Sequence, residues 1–112
     1  MNFLSWNIIG LHLLRKKRIL KRKIEVEKPS VVMIEETKCS KSHLKQEEKI
    51  IWKRIQFVAV DVEGSTGGVA IWWNPLEASL YNLITSRLII SVKFHVIGTS
   101  IRGLISNVYG PY

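Results

Sequence analysis

SVVMIEE, residues 30–36, is an unbroken run of β-branched and apolar side chains closed by two glutamates. Such a run predicts a strand buried on both faces. Pro29 stands directly before it and forbids a helix from running in, while Lys28 suits the closing end of a helix dipole. The helix that ends there is expected over residues 12–27. Within it Leu13, Leu20 and Ile24 fall near one face, and Arg15, Lys16, Lys17, Arg18, Lys21, Arg22 and Lys23 crowd the remainder. Gly10 separates that helix from NFLSWNI at 2–8, a short and mostly apolar strand. Strand, helix and strand predict a β-α-β unit with parallel strands and a right-handed crossover.

Toward the C-terminus the pattern first gives a second helix over 41–54, with Leu44, Ile50 or Ile51 and Ile55 inward. It then turns to β. FVAVDV (57–62), GVAIWW (68–73), ASLYNLI (78–84), RLIISVKF (87–94) and RGLISNVY (102–109) are strand-length runs. EGSTGG, NPLE and TS supply the turns between the first four. There is no internal repeat and no low-complexity tract. The expected class is α/β leaning to α+β, a single partial domain over 1–112, with one mixed, mainly antiparallel sheet and helices on one face. GVAIWW and RLIISVKF carry large side chains to both faces, as strands do in the middle of a layered sandwich. A second layer is therefore expected to be missing, and the uncovered face to favour self-association.

Composition sets the outer limits. Hydrophobic residues are 46% of the 112, including four Trp, which is enough for a packed core and excludes wholesale disorder. No run reaches the length of a membrane span, and no membrane partner is expected. The opening MNFLSWNIIGLHLL has no basic residue before its apolar part and contains Asn2, Ser5, Asn7 and His12, which fits a strand and helix better than a signal anchor. Cys39 is the only cysteine, which excludes an internal disulfide and a cysteine-rich zinc site and fits an intracellular setting. Seventeen Lys and Arg against nine acidic residues give +8, which favours a polyanionic partner. Trp72 and Trp73, on a β run, are expected in the core rather than stacked on bases.

Asn7 ends the first strand and Glu36 the second. In a parallel pair both lie at one edge of the sheet, where open α/β folds place their ligands. A carboxylate there is a hard oxygen donor suited to Mg²⁺, and an amide beside it can hold a phosphate oxygen or a metal-bound water. Tyr109 ends the last strand and could bring a phenol to the same rim. Taken residue by residue, the set reads more readily as a strand-end cap, a surface Glu and a half-buried Tyr.

The ordered motifs tip that balance. SWNIIGL at 5–11, EKPSVVMIEETKCS at 27–40, EGSTGGVAIWW at 63–73 and NVYGPY at 107–112 resemble those of the endonuclease/exonuclease/phosphatase superfamily, with its deoxyribonuclease I-like sandwich. They look most like the endonuclease domain of plant LINE-type (non-LTR) retrotransposons. The resemblance runs over essentially the whole chain but only the first half of that domain. It implies that Glu36 binds a metal ion, Mg²⁺ or Mn²⁺, that Asn7 helps arrange metal and phosphate, and that Tyr109 contacts the scissile phosphate. Gly67 and Gly68 match a glycine pair used in a turn.

The resemblance also implies what is missing. The family completes its site from a second half, with an Asp and Asn pair, a further Asp and a late Asp-His pair. Asp61 is the only aspartate here and matches none of these, and His12, His43 and His95 fall outside such motifs, as surface residues would. Ile9, Glu35 and Tyr112 depart from the residues usual in relatives, and Glu35 adds negative charge beside Glu36. The expectation is a truncated Mg²⁺-dependent DNA endonuclease domain, nuclear and inactive alone, holding its ion weakly. Lys16, Lys17, Lys21 and Lys38 are the candidate nucleic-acid contacts. The alternatives are a non-catalytic basic nucleic-acid-binding protein, supported by the charge and the basic helix, and a phosphomonoesterase of the same superfamily.

Overall fold

The computed structural model describes residues 2–8, 11, 14–35, 37, 51–61, 68–85 and 89–108. Their contacts divide the chain into two compact units, Met1–Asn74 and Pro75–Tyr112.

In the first unit, β1 (Phe3–Asn7), α1 (Leu14–Glu27) and β2 (Val31–Glu35) form the expected β-α-β unit, with β1 and β2 parallel from Phe3↔Val31 to Asn7↔Glu35. β3 (Gln56–Asp61) and β4 (Gly68–Trp73) join it in the order β1-β2-β4-β3, and β4 runs antiparallel to both neighbours. The helix closes tightly. The Lys28 N–H donates to the Ile24 carbonyl at 2.9 Å with Lys28 at φ 47°, a left-handed cap that Pro29 prevents from becoming another turn. The Asn2 side-chain amide donates to the Glu27 carbonyl at 3.1 Å, so the start of β1 also holds the end of α1.

Side chains alternate across this sheet. Val32, Ile34, Ala70 and Trp72 meet Leu20 and Ile24 of α1 in one core with Ile8, Leu11 and Ile51. Burial of each large aliphatic side chain there contributes roughly 1.5–3 kcal/mol. Val31, Met33, Val69 and Ile71, on the other face of β2 and β4, are buried too. The two-faced apolar character of SVVMIEE and GVAIWW thus corresponds to burial on both faces.

The second unit is a separate antiparallel sheet, β5 (Ala78–Thr85), β6 (Ile89–Val96) and β7 (Arg102–Val108), in that order. Ala78, Ile90 and Val92 are buried on one face, while Ile84, Ile89 and Leu104 on the other are exposed. β5 slips register between Tyr81 and Ile84, where Asn82 takes φ 52°. Between β6 and β7 the chain turns at Gly98, φ 80°, and the Thr99 hydroxyl bonds the Val96 carbonyl at 2.8 Å. Directly opposite Phe94 stands Gly103, where an added Cβ would lie 2.6 Å from the ring. The aromatic ring fills the space the glycine leaves.

The mixed α/β class is as expected, but the strands do not form one sheet. They fall into two, because alternation marks a strand without naming its neighbour and the break at Pro75 separates the pairings. Of the expected second helix only Ile51 to Arg54 is described, with Ile51 buried in the core. Most of the EGSTGG turn lies outside the described residues.

Candidate functional site

The C-terminal ends of β1 and β2 carry the candidate site. Parallel pairing sets Asn7 level with Glu35, and the Ile8 N–H donates to the Glu35 carbonyl at 3.1 Å, so both strands stop at the same height. Asn7 is exposed and Glu35 half-buried. Immediately beyond, the Thr37 N–H donates to the Gly68 carbonyl at 3.2 Å, and the Thr37 carbonyl accepts from the Leu11 N–H at 2.8 Å. The backbone of one residue, Thr37, therefore ties the segment after β2 to the start of β4 and to the segment after β1. Thr37 is wholly buried, and its hydroxyl has no hydrogen-bond partner.

Glu36, in the chain between Glu35 and Thr37, lies outside the described residues, as do Tyr109, Lys38, Gly67, His12 and His43. The structure brings Asn7 beside Glu35 at the rim and describes no other residue of the predicted set there. Among the described residues no three of His, Cys, Asp or Glu gather to hold an ion. The described rim, with one amide oxygen from Asn7 and the Glu35 carboxylate nearby, does not make a metal centre by itself.

The other candidates sit on α1. Lys16 and Lys23, two turns apart, both reach the ring of Trp6 on β1, at 5.9 Å and 5.5 Å from its centroid. The half-buried indole thus engages two ammonium groups, and sequence reasoning missed it. The available signal was the seven-residue spacing of the lysines above an aromatic strand residue. Lys17 is half-buried and Lys21 exposed. His95, half-buried, bonds the Thr99 carbonyl at 2.6 Å through Nε2 and so serves the β6–β7 hairpin. Asp61 pairs with Gly68 at the end of β3. Trp72 is fully buried as expected, with Nε1 unpartnered, and Trp73 is half-buried.

No family model matches the sequence, and no curated protein matches it. Solved structures do. An endonuclease/exonuclease/phosphatase family protein from Bacteroides thetaiotaomicron is 12% identical with a TM-score of 0.70, over 96% of this chain and 50% of that one. The AP endonuclease LMAP from Leishmania major is 21% identical with a TM-score of 0.67, over 96% and 39%. The mannosyl-6-phosphatase Bt3783 of Bacteroides thetaiotaomicron is 13% identical with a TM-score of 0.69, over 96% and 51%. At these identities the likeness is one of fold. The structural neighbours are endonuclease/exonuclease/phosphatase proteins with the deoxyribonuclease I-like architecture, and the chain spans about half the length of those it matches.

Proposed function

We propose that the chain is the N-terminal half of a Mg²⁺-dependent DNA endonuclease domain of the LINE retrotransposon kind, and that it does not cleave DNA by itself. One observation carries the reading: the parallel register that sets Asn7 level with Glu35, one residue before Glu36, at the C-terminal edge of a deoxyribonuclease I-like sheet. The motifs around those residues support the retrotransposon origin, and the nuclease and phosphatase neighbours support a phosphoester substrate.

In this reading Asn7 and Glu36 offer an amide and a carboxylate oxygen to Mg²⁺ or Mn²⁺, and Tyr109 offers a phenol to phosphate. Such an ion, when bound, neutralises charge on a phosphate undergoing attack. Two protein donors hold it weakly, and no hydrolytic step is assigned to this chain. The limiting deficit is the base. A positioned acid-base group contributes about 10²–10⁴-fold to such reactions, and nothing in the sequence supplies one at the rim. The partner is DNA and the compartment the nucleus, with self-association through the exposed face of the second unit.

Supercoiled plasmid incubated with the purified chain and Mg²⁺ or Mn²⁺ should remain intact. Nicking that disappears in Glu36→Ala would overturn the inactivity. Titration with Mn²⁺ should show weak binding that both Glu36→Ala and Asn7→Ala abolish; binding indifferent to both removes the rim from consideration. The second reading, a basic nucleic-acid-binding protein without catalysis, is favoured by α1. A flanking reading frame that continues into an Asp-rich segment and a reverse transcriptase would decide for the endonuclease.

A further inference from the structure

The sequence offers lysines as nucleic-acid contacts, and the same helix carries a second set of cations beside them. Leu20 and Ile24 face the core, Lys16 and Lys23 lie over Trp6, and Lys17 is half-buried. At 100° per residue the direction opposite the core is occupied by Arg15, Arg18 and Arg22, all exposed. They stand at i, i+3 and i+7, a row about 10.5 Å long at 1.5 Å per residue. Such a row is long enough for its guanidiniums to meet neighbouring phosphates of one strand of duplex DNA.

Within the helix only Glu25, three residues after Arg22, offsets this row. Like charges at i+3 and i+4 repel, here Arg15 with Arg18 and Arg18 with Arg22. The first turn of α1 contains no acidic residue, so Arg15 adds positive charge to the end of the helix that is already positive. No acidic residue occurs from Leu14 to Ile24. Local electrostatics set against the element that carries them mark a place where a partner supplies the compensation.

We propose that Arg15, Arg18 and Arg22 form a rail for consecutive phosphates of one DNA strand. This surface is distinct from the strand-end rim and needs no divalent ion. The planar guanidinium, which matches phosphate through paired N–H groups, suits the role better than an ammonium. An anionic membrane surface fits less well. A helix lying in a bilayer interface turns a broad apolar face outward, whereas α1 has spent Leu20 and Ile24 on the core and shows only scattered Leu14, Ile19 and Val26.

The test is fluorescence anisotropy of a labelled DNA duplex, titrated with the full chain over a range of salt in the presence of EDTA. Each phosphate neutralised contributes about 0.9 to the slope of log affinity against log salt. Arg15→Gln/Arg18→Gln/Arg22→Gln should therefore shallow the slope by about 2.7, and Arg15→Gln or Arg22→Gln alone by about 0.9. The triple Arg→Lys variant should keep the slope at reduced affinity. The single variants serve if the triple variant loses its helical circular dichroism. The rail is overturned if the slope stays within experimental error in the single variants, or if DNA retention vanishes in EDTA, which would place binding at the rim. It is equally overturned if the glutamine variants keep DNA but lose binding to phosphatidylserine vesicles.

Discussion

Thr37→Val should make the protein more stable, a sign opposite to that of most core substitutions. Thr37 is fully buried, and its hydroxyl meets no partner. A hydroxyl withdrawn from water without a replacement bond costs about 1–3 kcal/mol. Valine has nearly the same shape and removes that cost. It leaves intact the backbone bonds to Gly68 and Leu11, at 3.2 Å and 2.8 Å, because neither uses the side chain. The expected gain is about 1–3 kcal/mol, or about 4 °C in Tm per kcal/mol for a chain of this size. Thermal melts by circular dichroism, with urea titrations checked for an unchanged m-value, measure it. Thr37→Ser is the control: it keeps the hydroxyl, loses a buried methyl, and should lower stability by about 1 kcal/mol. If valine leaves the melt unchanged or lowers it, the hydroxyl has a partner in solution and the reasoning fails.

Gly103→Ala should destabilise by about 1–2 kcal/mol, because the new methyl meets the Phe94 ring at 2.6 Å. Repeating it in Phe94→Leu should recover most of the loss, and an equal penalty in both backgrounds would show that the ring is not the cause. Lys28→Gly should stabilise by about 0.5–1 kcal/mol and so raise the urea midpoint, since glycine adopts φ 47° without strain but costs more entropy to fix. A lowered midpoint would mean that the lysine side chain contributes more than its backbone costs.

The strand runs and the first helix were legible because period and punctuation are local. Pro29 and the apolar run of residues 31–34 marked a helix end and a buried strand, and the parallel direction of β1 and β2 followed from the connection. Division into two sheets was not legible, since the residues of GVAIWW do not say whether RLIISVKF will be their neighbour. Trp6 escaped because its role depends on two lysines brought over it by the crossover. Phe94 and Gly103 escaped for the same reason, as a pair made only by registry. Of the rim, that β1 and β2 end at one edge followed from their parallel direction, whereas the pairing of Asn7 with Glu35 needed the register, and Glu36, Tyr109 and Lys38 lie outside the described residues. The basic helix was visible in composition, but which cations point outward required knowing which side meets the core.

Among the described residues, β5 and β7 are the two margins of their sheet, and they are not alike. β5 is broken by its bulge at Asn82, whereas β7 keeps an unbroken ladder with β6 from Arg102 to Val108. An incoming strand finds a ruled template along β7 and an interrupted one along β5. Growth from one margin alone cannot repeat. Two copies joined through β7 would leave only bulged margins on this sheet, so strand addition along this sheet stops at a pair.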